Sequence, residues 1–416
     1  MYRVIPAEED EQKKNCCCCC LRCCCCFLSW VLFACLTVVC VLACALYILI
    51  VTPSPAHVYP YVIEKPPAYV NSTAENDLLA NGERILEGIA VAPESLAEYR
   101  GRLYTGLGNG KLVEIYNNRI TNEWRYAKPP NSTECAQLYE TESLCGRVLG
   151  VVVRHGWIYA IDPYFGLYRI EIQSGNKELL LEAGAVVDGH PVLFLDDLAF
   201  VDDDTILISD VSWTYLIRDF CMVFLTNKPD ARVIQYDMTT RTAKVIAKGL
   251  RFANGIVVAD DKESFLVAET FMARILRISL ATGEHEVYAA NLPGYPDNIR
   301  LSHDRRHVWA PLAAARHPHE YSAFQFLSER PWLRELLLKF FDKKTLCTRV
   351  MRRFYSFQGA TRSVIVKLDL KSGEIVESFH DPTGVVVQHP SHVIEYFNHL
   401  YIGSYTSPWL AKMKLD

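Results

Sequence analysis

Two clusters of cysteines near the N-terminus are the residues of this chain most obviously able to do chemistry. They directly precede an uncharged apolar stretch. They comprise Cys16, Cys17, Cys18, Cys19, Cys20, Cys23, Cys24, Cys25 and Cys26. Such thiols can be S-palmitoylated beside a membrane, can bind metal, or can be low-complexity sequence. The clusters lack the histidine partners of a zinc site, so we predict palmitoylation.

Few cysteines follow the apolar stretch, which excludes a disulfide-dense scaffold. Cys135 and Cys145 close a short loop beside a glycosylation sequon, so we predict a disulfide between them. Cys221 and Cys347 are either buried thiols or a long-range pair. No G-x-S-x-G motif occurs, so the sequence does not predict the catalytic triad of an α/β-hydrolase.

The apolar stretch itself, residues 27–51, contains no Asp, Glu, Lys or Arg. As a helix it would rise roughly 37 Å, more than the roughly 30 Å of a hydrocarbon core. A cleaved signal peptide is the alternative, but its apolar region would be shorter, and no convincing small-x-small cleavage site follows. We therefore predict a retained transmembrane helix that anchors the chain in a membrane.

The flanks of this span predict its orientation. The nearest basic residues are three that precede it and one that follows much later: Lys13, Lys14, Arg22 and Lys65. The positive-inside rule then keeps residues 1–26 in the cytosol. Two sequons follow the span, at Asn71 and Asn131, and they would be glycosylated only on the side of the membrane that faces away from the cytosol. We predict a type II protein of the plasma membrane or the endoplasmic reticulum.

Beyond the span the chain divides into a short stalk and a large domain. Residues 52–77 are rich in proline and show no hydrophobic periodicity, which predicts a stalk. In residues 78–416, strands that alternate apolar and polar residues recur at a spacing of roughly 40–60 residues, each before a polar turn. A more uniformly apolar strand precedes most of them, as residues 157–162 precede residues 166–170. This succession is typical of propeller blades and disfavours a β-sandwich.

One interval between these strands, from Ile275 to Ile365, is too long for a turn. Within it, residues 329–341 have the pattern of a short amphipathic helix, with Ser328 as a candidate N-cap and Pro331 in the first turn. We predict a helix that packs over one end of the propeller. A lid that touches membrane or substrate is the alternative.

The motifs of the large domain, taken in order, resemble those of the strictosidine synthase-like family. The resemblance spans about residues 80–416. Its clearest segments are A-P-E-S at 92–95, C-G-R at 145–147, D-D-L at 196–198, R-F-A-N-G at 251–255, P-G-Y-P-D-N-I at 293–299, F-L-S-E-R-P-W at 326–332 and L-Y-I-G-S-Y at 400–405. The resemblance implies an all-β fold, a six-bladed β-propeller with a helical insertion, related to paraoxonases, gluconolactonases and strictosidine synthase.

The same resemblance implies a calcium ion at the floor of the central channel. The positions that match the ligands of the metal-dependent relatives are Glu94, Asp196, Asn254 and Asp297, with Asn298 adjacent. The set is chemically coherent, because Ca²⁺ prefers carboxylate and amide oxygens. Taken singly, several of these residues also suit turns. Many relatives have Asn where this chain has Asp196, and the additional negative charge favours a bound cation.

With calcium, the resemblance implies hydrolysis of a small-molecule ester or lactone, for which a general base must activate water. The chain has Leu149 where paraoxonases place a histidine. His190, His389 and His392 are candidate substitutes, although a histidine in such a position is more often a surface or packing residue. Glu395 lies in the region of the catalytic glutamate of strictosidine synthase, but the alkaloid condensation itself is not expected.

A second hypothesis is a non-catalytic ectodomain that uses the propeller as a ligand-binding or adhesion surface, with calcium purely structural. The chain has 43 basic and 48 acidic residues, which give a net charge of −5. The large domain has no clustered basic face, so no nucleic-acid partner is predicted. No P-loop or dinucleotide fingerprint follows a predicted strand, so no nucleotide cofactor is predicted.

Overall fold

Helix α1, Glu9–Val51, contains the apolar stretch. The structure, a computed structural model, describes residues 9–129, 135, 139–259, 261–351 and 362–415, with side chains from residue 29 onward apart from residue 49. Within those residues one helical segment is long and apolar enough to cross a membrane, Ser29–Ile48, with a mean hydropathy of 2.8. The helix continues through cysteines 16–20 and 23–26, whose side chains lie outside the described residues.

The chain divides after Pro55 into two compact units. The second unit folds as a propeller of six antiparallel sheets, which confirms the predicted all-β fold. Strand β1 is Glu83–Ile85. Blade 1 contains β2 to β5, Leu96–Tyr99, Arg102–Gly106, Lys111–Tyr116 and Arg119–Arg125; blade 2 contains β6 to β9, Val151–Arg154, Trp157–Asp162, Gly166–Glu171 and Lys177–Glu182. A hairpin of β10, Val186–Val187, and β11, His190–Pro191, follows.

The remaining blades repeat this order. Blade 3 contains β12 to β15, Leu195–Phe200, Thr205–Asp210, Ala231–Asp237 and Thr242–Leu250; blade 4 contains β16 to β19, Ala253–Val258, Ser264–Glu269, Arg274–Ser279 and His285–Ala289. Blade 5 contains β20 to β24, Gly294–Pro296, Arg300–Leu301, His307–Ala315, Ser363–Asp369 and Ile375–Asp381; blade 6 contains β25 to β27, Pro390–Tyr396, His399–Ser404 and Leu410–Lys414. Strand β1 completes blade 6 by pairing with β27, so residues from both ends of the propeller close the ring.

The uniformly apolar segments of the sequence are the second strands of the blades. In β13, Leu207 packs toward blade 4, whereas its neighbours Ile206 and Ile208 pack toward blade 2. Both faces of the strand are therefore buried, which removes the alternation expected of a half-exposed strand. The fourth strands are the outer ones, and β5 is largely exposed.

Glycines in the turns between third and fourth strands let each blade approach the preceding one. Gly283 and Gly373 have φ of 71° and 75°. A Cβ on Gly283 would lie 2.1 Å from the carbonyl oxygen of Ile246, and one on Gly373 would lie 2.1 Å from that of Tyr288. A larger residue at either turn would therefore strain the backbone and separate the blades.

Helices from two connections form a cap on the propeller. One connection lies between β13 and β14 and contains α3, Phe220–Thr226, which we did not predict. The other is the predicted insertion, with α4, Ala323–Ser328, α5, Pro331–Phe340, α6, Lys343–Thr345, and a π-helical turn, Leu346–Val350; the short α2, Glu142–Cys145, lies earlier in the chain. A disulfide between Cys221 and Cys347 joins the two connections, so the long-range pairing left open above is the one observed.

The start of the predicted amphipathic helix differs in detail from the expectation. Ser328 is the last residue of α4, and Arg330, which makes no capping side-chain hydrogen bond, precedes α5. Pro331 is the first residue of α5, as its missing N–H allows. Arg334, in α5, is completely buried and donates to the carbonyl oxygens of Leu225 and Tyr59 at 2.9 and 3.0 Å.

The segment predicted as a stalk packs against the propeller from Ala56 onward. Tyr61 and Ile63 are buried, and Gln325 Nε2 donates to the carbonyl oxygen of Ile63 at 3.0 Å. Arg316 donates to the carbonyl oxygen of Glu64. The segment is an extended, irregular run in which the carbonyl oxygens of Tyr59, Ile63 and Glu64 accept from side chains of later residues. Such contacts leave no hydrophobic periodicity in the sequence.

The predicted modification sites divide between described and undescribed residues. Asn71 begins an exposed 3₁₀ turn, Asn71–Thr73, whereas Asn131 lies outside the described residues. Cys135 and Cys145 are joined by a disulfide with a Cα to Cα distance of 5.7 Å.

Candidate metal centre

The five predicted calcium ligands come from the channel side of four blades. Glu94 precedes the first strand of blade 1, Asp196 lies in β12, and Asn254 lies in β16. Asp297 and Asn298 directly follow β20. All five are nearly inaccessible to solvent, with exposed fractions between 0 and 6%. The starts of the inner strands therefore direct polar side chains into the buried centre of the ring.

The carboxylates of this group act on one another electrostatically. Burial raises the pKa of Asp196 well above its ordinary value, and the negative charges of Asp297 and Glu94 raise it further. The pKa of Asp297 is likewise raised well above its ordinary value, by burial and then by Glu94. Burial also raises the pKa of Glu94, against the opposing effect of Arg147. Buried acids that repel one another are poorly stabilised as anions without a cation.

Oxygens of this group also lack hydrogen-bond partners. These buried atoms, which have no hydrogen-bond partner among the described residues, are Glu94 Oε2, Asp196 Oδ1, Asn254 Oδ1, Asp297 Oδ1 and Asn298 Oδ1; Glu94 Oε2 lies 3.5 Å from the Arg147 guanidinium. Buried polar atoms without partners are rare, and one explanation for them is a bound ion. Because all five are hard oxygen donors, the set fits Ca²⁺. In the described part of the chain, however, no three Asp, Glu, His or Cys side chains form a compact metal cage, so this fit rests on the combined carboxylate and amide oxygens.

The three catalytic candidates His190, His392 and Glu395 have other partners. The His190 ring is exposed and stacks on Trp213 with the ring centres 4.4 Å apart. Glu395 accepts a 2.6 Å hydrogen bond from Trp309 Nε1 and lines a cleft of about 760 Å³ between the outer parts of blades 5 and 6. The structure therefore does not support a catalytic role for either residue.

His392 is completely buried, and its Nδ1 accepts a 2.9 Å hydrogen bond from the Leu96 backbone N–H. Burial, together with the charge of Arg300, holds the pKa of His392 well below its usual range. The ring is therefore neutral with its proton on Nε2, and its lone pair is already used. The structure thus gives His392 a structural role.

His389 is better placed to act as a general base than His190 or His392. Its Nδ1 lies 3.3 Å from the carbonyl oxygen of Ala313 and 3.4 Å from the Tyr405 hydroxyl. Burial raises the pKa of Tyr405, and the charges of Asp297 and Glu94 raise it further, which places this tyrosine within electrostatic range of the carboxylates. Burial lowers the pKa of His389, so its ring stays neutral and able to accept a proton.

Position 149 lies in a buried apolar cluster. Leu149 is 1% exposed and belongs to the hydrophobic cluster beneath the cap, together with Phe194 and Phe252. A histidine at this position would lie among aromatic and aliphatic side chains. The structure therefore offers a packing reason for leucine there.

Two arginines of the channel were missed by the sequence analysis. Arg300 makes a bidentate ion pair with Asp197 at 2.6 and 2.7 Å. Arg147 lies between Glu94 and Glu142, at 3.5 and 3.4 Å. The pairing of β12 with β13 is irregular between Leu195 and Leu198, so strand alternation does not indicate where Asp196 and Asp197 point. Glu142 lies five residues before Arg147, whereas Glu94 and the Asp197 partner of Arg300 come from other blades, so no local pattern identifies those two contacts.

Asp196→Asn should have opposite effects with and without calcium. Because the pKa of Asp196 is raised in the folded protein, its contribution to stability is lost as the pH rises through that pKa. At pH 8 in chelator, we expect the asparagine variant to be more stable by roughly 1–2 kcal/mol. In millimolar Ca²⁺ the order should reverse, because the variant has lost a charged ligand.

Urea unfolding of the full chain in detergent micelles, followed by tryptophan fluorescence, measures both effects of Asp196→Asn. Asp203→Asn is a suitable control, because its side chain is 68% exposed on a turn of the same blade. A change of the same sign under both conditions would contradict the assignment of Asp196 as a cation ligand.

Comparison with known proteins confirms the predicted resemblance. The family models described as Strictosidine synthase and as Strictosidine synthase-like, N-terminal, match residues 196–283 and 73–115. Adipocyte plasma membrane-associated protein of Salmo salar is 35% identical over 382 residues, which cover 91% of this chain and 88% of the relative. The Homo sapiens protein of that name is 32% identical over 368 residues, with coverages of 87% and 85%.

Solved structures share the fold at low identity. A gluconolactonase from Xanthomonas campestris superposes with a TM-score of 0.52 at 15% identity, over 88% of this chain and 99% of its own. A calcium-binding protein, regucalcin, from Agrobacterium tumefaciens superposes with a TM-score of 0.50 at 10% identity, over 86% and 96%. These similarities show the fold alone. On its sequence relatives, the chain belongs to the strictosidine synthase-like family, together with the proteins named adipocyte plasma membrane-associated protein.

Proposed function

We propose that this protein is a membrane-tethered, calcium-containing propeller hydrolase that acts on small-molecule esters or lactones. The observation that carries the proposal is the group of buried, unpartnered oxygens that four blades direct into the channel. Proteins of the same fold that are named as a gluconolactonase and as calcium-binding regucalcin support the choice of cation and reaction.

In this proposal Glu94, Asp196, Asn254, Asp297 and Asn298 hold the ion. The bound cation would supply Lewis-acid polarisation of the substrate carbonyl. His389 is the candidate proton acceptor, with its Nδ1–H directed to the Ala313 carbonyl oxygen and Nε2 left to accept a proton from water.

A non-catalytic ectodomain with structural calcium is the second candidate. The observation that favours it is the placement of His190, His392 and Glu395, each of which is engaged by a structural partner. Leu149 also favours this second candidate, because paraoxonases have a histidine at the matching position.

A substrate panel decides between the two functions. The purified full chain, in detergent micelles, is tested on phenyl acetate and on lactones of several ring sizes, with Ca²⁺ and with chelator. Turnover that the chelator abolishes and Ca²⁺ restores is expected of the hydrolase. A folded protein that binds Ca²⁺ and turns over no substrate would instead support the binding or adhesion function.

We also propose that the protein has type II topology, with a palmitoylated cytosolic tail and an N-glycosylated propeller outside the cytosol. The basic residues before the span, the sequons after it and the apolar part of α1 support this arrangement. Metabolic labelling of cells with an alkyne palmitate analogue should mark the wild type and not a variant with serine at cysteines 16–20 and 23–26. Equal labelling of both would contradict acylation at these clusters.

A further inference from the structure

Arg147 is an internal cation directly beside the candidate metal centre. The disulfide at Cys145 and the backbone N–H of Arg147, which donates to Asp162 Oδ2 at 2.7 Å, fix the start of its side chain. Its Nη2 donates to the carbonyl oxygen of Tyr405 at 2.9 Å. The guanidinium is therefore held at the channel by its backbone and by a neutral acceptor, independently of Glu94 and Glu142.

Two buried carboxylates share this guanidinium. Arg147 Nη2 lies 3.5 Å from Glu94 Oε2, and Nη1 lies 3.4 Å from Glu142 Oε1. Both distances exceed the approximately 2.7–2.9 Å of a well-formed charge-assisted hydrogen bond. Glu142 is itself held by Tyr164, whose hydroxyl donates to Oε2 at 2.8 Å. The guanidinium thus lies between two partners without a full bond to either.

We propose that Arg147 competes with the metal ion for Glu94 and so sets the calcium affinity of the centre. Without the ion, the guanidinium neutralises Glu94. When the ion takes Glu94, Arg147 moves toward Glu142, which is already positioned to receive it. This inference rests on the proposed calcium centre and deepens it, because the competition makes the site weak enough to respond to the calcium concentration outside the cytosol.

Substitutions of Arg147 and of Glu142 should change the calcium affinity in opposite directions. Arg147→Met removes the competing charge, so Ca²⁺ should bind about tenfold more tightly. Glu142→Gln removes the negative charge that would receive the guanidinium, so Arg147 should stay on Glu94 and Ca²⁺ should bind about threefold more weakly. In the double variant no competitor remains, and Glu142→Gln should then change the affinity by less than about twofold.

Isothermal calorimetric titration of the full chain in micelles with CaCl₂ measures these dissociation constants without an assay of activity. Arg169→Met is the control, because it removes a guanidinium from the outer part of blade 2, where Arg169 pairs with Glu178. We expect this control to leave the affinity unchanged. Urea unfolding in chelator confirms that each variant is folded before it is titrated.

The outcomes separate this inference from the proposed function. If the wild type binds Ca²⁺ and Arg147→Met binds it with unchanged or weaker affinity, the competition is overturned. The proposed metal centre would then still be supported. If Glu142→Gln weakens calcium binding equally in the presence and absence of Arg147, the competition is also overturned, because the charge of Glu142 would then act directly on the ion and not through Arg147. Failure of every variant to bind Ca²⁺ would overturn both proposals.

Discussion

Arg300→Met should lower the free energy of unfolding by about 3–5 kcal/mol, because it leaves a buried carboxylate without its counter-ion. Asp197 is completely buried, and both of its oxygens accept hydrogen bonds from Arg300 at 2.6 and 2.7 Å. Asp197 Oδ2 also accepts from the Ile256 backbone N–H at 3.0 Å, and Arg300 contacts Ser95 Oγ at 3.5 Å. One ion pair thus connects blades 1, 3, 4 and 5 around the channel.

Urea unfolding of the full chain in chelator, followed by tryptophan fluorescence, tests this prediction for Arg300. Arg306→Met is the matched control: Arg306 pairs with Asp304 on the surface with 79% of its side chain exposed, and we expect a loss below about 1 kcal/mol. If Arg300→Met does not fold, the double variant with Asp197→Asn should recover folded protein, because both charges are then removed. Wild-type stability in Arg300→Met would contradict a stabilising role of the ion pair.

Asp297→Ala should abolish the chelator-sensitive turnover, with a loss of at least about 100-fold in kcat/KM. Asp297 is 4% exposed, and its Oδ1 has no hydrogen-bond partner among the described residues. Its backbone N–H donates to the Pro311 carbonyl oxygen at 3.0 Å, which holds the residue at the channel independently of the side chain. The alanine variant should therefore keep the backbone position and lose only the carboxylate ligand.

The measurements for Asp297→Ala are the initial rate on the best substrate of the panel and the increase in stability on addition of Ca²⁺. We expect both to disappear, whereas the control Asp203→Ala, on an exposed turn, should retain both. Chelator-sensitive turnover that survives in Asp297→Ala would show that the metal lies elsewhere. Loss of turnover with full calcium stabilisation would instead give Asp297 a role in chemistry and not in metal binding.

Much of the fold was predictable because strand burial leaves a local pattern. The uniformly apolar second strands and the alternating third strands recur in every part of the ring, and the turn glycines mark where blades approach one another. The cap was only half predicted. Its amphipathic part, α5, has a visible pattern, whereas α3 is apolar from Phe220 to Leu225, since α3 is buried by the rest of the cap.

The candidate ligands were predictable for a different reason. Glu94, Asp196, Asn254 and Asp297 stand in short motifs at the starts of inner strands, and the family resemblance assigns them together. Their burial, mutual repulsion and unpartnered oxygens are properties of the folded ring. No spacing in the sequence indicates that Arg147 lies next to Glu94, because the two residues come from different blades.

By itself, the sequence determined the apolar span, the blade pattern and the family resemblance, and the resemblance supplied the candidate oxygen ligands. The span and the blades depend on residue type and short-range periodicity, and the resemblance depends on short motifs, all of which are visible along the chain. The tertiary structure decided that His392 Nδ1 accepts from the Leu96 backbone N–H, that the proline-rich segment packs on the cap, and that Cys221 pairs with Cys347. It also decided the ion pairs of Arg147 and Arg300, since charge compensation in a closed ring joins residues that are far apart in sequence.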